Sequence, residues 1–241
     1  MIIVKNLSVY LADKDGGEQI LSDIDFRLEK GRSLSIVGPS GCGKTTLLHA
    51  IAGLNEDNLI EGSIQLTHGD AETTLVLQRA GLLPWKTVWQ NATLGLELRG
   101  ERDMSKAERL LRELGLEQYK EDFPMQLSGG QRRLLGLVRA LAVEPALLLM
   151  DEPLVSLDEF TRSNLQDTIL KLWKREGVTM IMVTHDVEEA VYLGERIMLL
   201  AGEPASIRAV VDNPGMGTED FRRSEEFYKV VKTVREGFYQ R

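Results

Sequence analysis

Gly38-Pro39-Ser40-Gly41-Cys42-Gly43-Lys44-Thr45 fits the pattern G-x-x-x-x-G-K-[ST]. Glycines at these places let successive backbone N–H groups converge on phosphate oxygens, and a helix starting at the end of the run adds partial positive charge. Lys44 can reach β- and γ-phosphates, the Thr45 hydroxyl can ligate Mg²⁺, and Thr46 extends the contact set. The pattern predicts a nucleoside triphosphate site. A second run, Leu147-Leu148-Leu149-Met150-Asp151-Glu152-Pro153, is an apolar strand ending in two carboxylates. Successive strand residues face opposite ways, so the two acids can do different work. Asp151 suits Mg²⁺ ligation, direct or through water, and Glu152 can orient or deprotonate an attacking water.

His185 follows another apolar strand, Val178–Val183. Parallel strands end on one side of a sheet, which would bring His185 to the same edge as Asp151 and the phosphate loop, near a γ-phosphate oxygen and Glu152. The competing reading is a plain helix-start histidine beside its Asp186 cap. Gln78, at the end of Thr74–Leu77, could sense Mg²⁺ or water through its amide. His49 and His68 have no such setting and read as structural. Cys42 is either a small filler, the favoured reading, or a thiol activated by the helix start and Lys44. Leu127-Ser128-Gly129-Gly130-Gln131 precedes a helix expected to begin near Gln131; Ser128 can cap it, and the glycines leave its N–H groups open to an anion. One chain thus carries two phosphate-binding helix starts.

The elements that must position these residues read as an α/β fold. Residues 2–11 and 20–29 alternate as strands around a Gly16-Gly17 turn, which predicts an antiparallel hairpin. Ser33–Gly38 is a strand leading into the glycine-rich loop and a helix near 44–52. Ile64–Leu66 and Thr74–Leu77 are further strands. From Thr87 to Val143 the pattern is helical, with Leu110, Leu111 and Leu114 at helical spacing and Pro124 as a breaker. Ala146–Met150 fits a strand buried on both faces. Then come a helix over Thr161–Glu176, the strand Val178–Val183, a helix over Asp186–Leu193, and strands near 196–200 and 206–211. Phe227, Val230, Val231, Val234 and Phe238 form an apolar stripe on a last helix, expected to pack on the domain itself.

Composition sets the outer limits. The 241 residues hold 29 Lys plus Arg against 37 Asp plus Glu, for a net charge of -8. No basic excess exists to displace counterions from nucleic acid, which argues against that partner. A single cysteine, Cys42, precludes an internal disulfide and points to a reducing compartment. No apolar run approaches the roughly 20 residues of a membrane span, since Arg139 interrupts the longest, Leu134–Met150. Met1-Ile2-Ile3-Val4-Lys5 lacks the order of a secretory signal.

Taken in chain order, these motifs resemble the ATP-binding-cassette (ABC) ATPases. The likeness covers nearly the whole chain: the Walker A loop at 38–45, the Q-loop Gln78, the signature Leu127–Gln131, the Walker B strand with Asp151 and Glu152, the D-loop Ser156-Leu157-Asp158 and the switch histidine His185. The resemblance implies one domain over 1–241. Residues 1–86 and 144–241 would form a P-loop NTPase, RecA-like core, with a mixed, mainly parallel sheet and an N-terminal antiparallel β part. Residues 87–143 would form a helical subdomain carrying the signature. It implies ATP and Mg²⁺, the metal held by Thr45, Gln78 and Asp151, and hydrolysis served by Lys44, Gln78, Glu152 and His185. It further implies a homodimer or paired ABC ATPase in which Ser128, Gly129, Gly130, Gln131 and Asp158 act on the partner's ATP.

Two positions depart from the family. Leu11 stands where an aromatic commonly stacks on adenine, and the preceding Tyr10 is either its substitute or an ordinary strand residue. Val155 replaces a small polar D-loop residue. The expected role is to power solute transport, import by analogy, through separate transmembrane permease subunits with a solute-binding protein. The chain would then be cytoplasmic, peripheral on the inner face of the cell membrane. Ala80-Gly81-Leu82-Leu83-Pro84-Trp85 offers apolar residues to that membrane partner, or tucks them into its own core. Its Leu-Leu-Pro-Trp run resembles the nitrate, sulfonate and taurine importer branch. The alternative is a soluble iron–sulfur assembly ATPase.

Overall fold

A computed structural model describes residues 1–11, 17–54, 58–67, 73–78 and 81–239. Gly16, His68 and Ala80 lie outside the described residues. The strands are β1 (Ile2–Leu11), β2 (Gln19–Leu28), β3 (Ser33–Val37), β4 (Asn58–Leu66), β5 (Thr73–Val76), β6 (Leu147–Asp151), β7 (Thr179–Thr184), β8 (Arg196–Gly202) and β9 (Ala205–Asp212). They form one sheet in the order β4-β1-β2-β9-β8-β3-β7-β6-β5. Strands β8, β3, β7, β6 and β5 run parallel to one another, while β4-β1-β2 and β9-β8 pair antiparallel. A single parallel bridge, Leu21 to Ala205, joins the N-terminal antiparallel part to the rest.

Period-two alternation sorts the central strands onto two cores. Leu147 and Leu149 of β6, Ile181 and Val183 of β7, and Met198 and Leu200 of β8 face α1 (Lys44–Ile51), which contributes Leu47, Leu48 and Ile51. Leu148 and Met150, Met180 and Met182, and Ile197 and Leu199 face the opposite side. There they meet α4 (Gly129–Ala142), α5 (Glu159–Glu176), α6 (Val187–Leu193) and α7 (Glu225–Gly237). Each fully buried aliphatic side chain contributes roughly 1.5–3 kcal/mol, so strands covered on both faces are the stiffest part of the molecule. Phe227, Val230, Val231 and Val234 of α7 are buried, so the tail's stripe packs on the chain itself.

Two helix starts fall earlier than the sequence patterns suggest. Ser128 Oγ accepts from Gln131 N at 3.2 Å and Gln131 Oε1 accepts from Ser128 N at 2.8 Å, so a reciprocal cap begins α4 at Gly129. Asp158 accepts from Thr161 N at 3.0 Å and begins α5 at Glu159. Strand β4 is longer than Ile64–Leu66 because it is an edge strand whose outer residues are polar or exposed, and an apolar run marks only its end.

Helices α2 (Val88–Leu98) and α3 (Ser105–Glu113) complete the segment between β5 and β6. An ion-pair cluster ties α3 to the end of α5. Lys106 and Arg109 reach Glu176 at 2.9 and 3.3 Å, and Arg175 pairs with both Glu176 and Glu113. Burial alone would raise the Glu176 carboxyl, but hydrogen bonds from Lys106 and Arg175, with the charges of Lys106 and Arg109, hold it down at about 2. A depressed carboxylate stabilises the fold above its unfolded value of about 4.5, and that contribution disappears as pH falls toward 2. Glu176→Gln should therefore cost about 1–2 kcal/mol at pH 7, after allowance for solvent screening of the half-exposed partners. Melting curves read this as a drop of about 3–6 °C relative to wild type. The gap should close between about pH 4.5 and 2, the window set by the two carboxyl values; a constant gap would show that packing, not charge, is lost.

Candidate functional site

The C-terminal ends of β3, β6 and β7 carry the chemistry because their hydrogen-bonded register leaves them level. Val37 pairs with Thr184 and Asp151 with Val183, so the phosphate loop, the acid pair and His185 emerge side by side. Gly43 precedes α1 at φ 89°, a left-handed conformation that only glycine adopts freely. The loop opens into a cleft of about 1280 Å³ lined by Pro39 to Thr46, Gln78, Asp151 and Glu152. Leu11, Glu18, Gln19 and Ile20, with Gly202 to Ala205, complete its lining.

Within this cleft Lys44 is 5% exposed, and its Nζ donates to the carbonyls of Gly38 at 2.9 Å and Pro39 at 2.7 Å. Thr45 Oγ1 donates to the Asp151 carboxylate, 3.1 Å from Oδ1 and 3.2 Å from Oδ2. Burial pushes the Asp151 carboxyl up, the Thr45 hydrogen bond draws it down, and the neighbouring Glu152 raises it again. A hydroxyl and a buried carboxylate at this spacing form a hard-oxygen pair that suits Mg²⁺. Glu152 faces elsewhere: its Oε1 lies 3.2 Å from His185 Nδ1. Its backbone stands at φ 42°, and its N–H donates to Val183 O at 3.0 Å.

The structure brings Lys44, Thr45, Gln78, Asp151 and Glu152 to one cleft, with His185 behind Glu152. Ser128, Gly129, Gly130, Gln131 and Asp158 do not line it. Ser128 and Gly129 are exposed at the start of α4, and Gly130 and Gln131 half-buried. Asp158 is occupied as the cap of α5.

One expectation requires correction, and one open choice is decided. Tyr10 does not line the cleft: its hydroxyl donates to Glu61 Oε2 at 3.3 Å, on the β4 side, and Leu11 supplies the wall instead. Register shifts along β1, between Val4 and Leu7 and again between Leu7 and Tyr10, break the alternation and turn Tyr10 away. Cys42 is not an activated thiol. Burial pushes it up, outweighing the charge of Lys44, and Sγ lies 3.6 Å from Leu200 O, which agrees with the filler reading.

Asn91 is a residue that motif reading missed. It is fully buried, accepts from Leu83 N at 2.9 Å, and donates to the carbonyls of Leu83, Lys86 and Thr87 at 2.9–3.1 Å. That clamp fixes the turn so that Leu82 packs on the core while Trp85 is left 70% exposed. A lone asparagine in a helical pattern gives no signal of this.

Comparison with known proteins agrees with the site. The ABC transporter family profile matches residues 21–155. The aliphatic sulfonates import ATP-binding protein SsuB of Bacillus cereus is 36% identical over 242 residues, covering 98% of this chain and 95% of that protein. The taurine import ATP-binding protein TauB of Escherichia coli is 44% identical over 200 residues, covering 80% of this chain and 78% of that one. Among solved structures, the ATP-binding cassette MJ0796, dimeric and bound to ADP and Pi, superposes with a TM-score of 0.76 at 28% identity, covering 90% of this chain and 100% of that one. A phosphate loop, an acid pair and a signature helix set in this order on this fold leave one assignment: the chain belongs to the ABC transporter family and is an ATP-binding, ATP-hydrolysing subunit.

Proposed function

We propose that this chain powers import of a small sulfonate-like solute through a separate membrane permease, working as one half of a head-to-tail ATPase pair. The observation that carries the pairing is the division of phosphate-binding parts. Lys44, Thr45, Gln78, Asp151 and Glu152 line one cleft, with His185 against Glu152, while the open start of α4 stands outside it. A partner chain turned head to tail brings its Ser128, Gly129, Gly130 and Gln131 to the γ-phosphate, with Asp158 nearby, and the dimeric MJ0796 structure supports that arrangement. ATP then holds the two chains together and hydrolysis releases them.

Within each site Lys44 and the loop N–H groups hold the phosphates, Glu152 takes the proton from the attacking water, and His185 steadies Glu152. Thr45, Asp151 and Gln78 would hold Mg²⁺, which neutralises phosphate charge when bound. Solute class follows from SsuB and TauB, both import subunits; neither favours the iron–sulfur alternative. No described helix is long and apolar enough to cross a membrane, and SsuB and TauB, named as ATP-binding import subunits, support a permease in another chain. Exposed Trp85, 70% accessible in the turn that Asn91 clamps, and Leu98, 80% accessible at the end of α2, suit contact with it and a peripheral place on the inner membrane face.

Co-expression with a permease and a solute-binding protein from the same operon tests this. ATPase activity in proteoliposomes should rise several-fold with a small sulfonate and its binding protein, and Trp85→Ala should abolish the rise while sparing the basal rate. Soluble behaviour and no stimulation by any sulfonate would overturn the import reading.

A further inference from the structure

Beside His185 lies a buried acid that the ATP site does not use. Glu189, in the first turn of α6, is 5% exposed. Its Oε2 accepts from Thr184 Oγ1 at 2.7 Å, and its Oε1 is buried with no partner among the described residues. Thr184 Oγ1 in turn accepts from Asp186 N at 3.1 Å. Asp186 caps α6 through Glu188 N and Glu189 N, and its carboxylate lies 3.6 Å from Arg162.

His185 is thus bracketed. The residue before it is held through its side chain and the residue after it through its N–H, both by one hydroxyl that Glu189 orients. The Thr184 backbone is fixed by pairing with Val37, so the remaining freedom at this turn lies beyond the strand end. We propose that Glu189 is a positioning residue, which through Thr184 aims His185 at Glu152 and so sets the rate of ATP hydrolysis rather than the affinity for ATP. The claim rests on the reading of His185 and Glu152 as catalytic.

Two features favour this over plain core filling. An acid this buried is costly unless its bonds do something specific, and here its one bond goes to the hydroxyl that shapes the histidine turn. Burial also pushes the Glu189 carboxyl up to about 7, with Asp186 adding to the rise while Thr184, Arg162 and His185 oppose it. Glutamine keeps the length of the side chain and an oxygen able to accept from Thr184 Oγ1, the bond that Glu189 makes here. If Glu189 only filled space, its bond to Thr184 would be idle, and loss of the Thr184 hydroxyl would not reproduce the loss of the acid.

The test is steady-state ATP hydrolysis by the full chain carrying Glu189→Ala, Glu189→Gln, Thr184→Val, the Ala–Val double substitution, or His185→Ala. A misplacement of about 1 Å at a catalytic group costs up to about a hundredfold. Glu189→Ala should lower kcat about tenfold with KM within about twofold of wild type, and Glu189→Gln should restore kcat to within about threefold, a smaller slip than that limit. Thr184→Val should match the alanine loss, and the double variant should lose no more than either single one, as parts of one relay do. Wild-type kcat in Glu189→Ala, a loss that glutamine does not restore, or full additivity overturns the proposal. If Glu189→Ala does not fold, Thr184→Val and Glu189→Gln decide by the same criteria. A His185→Ala variant with wild-type kcat would overturn the catalytic reading beneath it, and that outcome is distinct from the others.

Discussion

Glu152→Gln should lower ATP turnover about 10³-fold while leaving ATP affinity within about threefold of wild type, because removing a positioned base costs roughly 10²–10⁴. The amide keeps the size of the side chain and can still accept from His185 Nδ1, now 3.2 Å from Glu152 Oε1. It cannot take a proton from water. Asp151, the other acid in the cleft, is already bonded to Thr45 through both oxygens, at 3.1 and 3.2 Å, so it does not stand in. In the proposed pair, ATP that is bound but not consumed keeps two chains together. Size-exclusion chromatography with ATP should then show a two-chain species that wild type forms only transiently. Turnover within about tenfold of wild type, short of what loss of a base costs, rejects Glu152 in that role, and a loss confined to ATP binding would reassign it to phosphate contact.

Gly38→Ala should be nearly as damaging by a different route. A Cβ at Gly38 would sit 2.3 Å from Leu200 O and 2.8 Å from Cys42 Sγ. The first neighbour is backbone of β8, which is hydrogen-bonded to β3 and β9 and cannot yield cheaply. The phosphate loop must move instead. Shifting groups that bind a reacting phosphate by about 1 Å costs on the order of a hundredfold in kcat/KM. Overpacking adds about 1–3 kcal/mol of destabilisation, visible as a melting point lowered by several degrees. Nucleotide titration and calorimetry on the same preparation check both halves. Unchanged ATP binding would mean that β8 gives way, and with it the claim that the sheet rigidly backs the loop.

How much of this could be read from residues alone differs by site. Phosphate loop, acid pair and switch histidine each follow a short apolar strand, and strands covered on both faces leave an unmistakable run such as Leu147–Met150. Pattern and context agree there. Tyr10 shows where reading stops. Leu7, Ser8 and Val9 are consecutively buried, and Asn6 stands at φ 46°, so β1 is bulged. One inserted residue exchanges the faces of all that follow, and sequence spacing cannot say which of Tyr10 and Leu11 looks into the cleft. Cys42 left a choice open: the charge of Lys44 and the helix start argue for a low thiol pKa, filling for a high one. The burial that pushes it up comes in part from contacts such as Leu200 O, 158 positions away, that spacing does not show. Glu189 was passed over because a glutamate in the first turn of a helix looks like ordinary dipole pairing until its burial is known.

The left-handed backbone at Glu152, φ 42°, has an implication for anyone trying to make this protein sturdier. A glutamate held there stores roughly 1 kcal/mol, which glycine would release and asparagine would partly release. The most hardened variant and the most active one therefore ask for different residues at the same spot. Selection for heat resistance alone would drift toward a chain that folds better, binds ATP and has stopped turning it over.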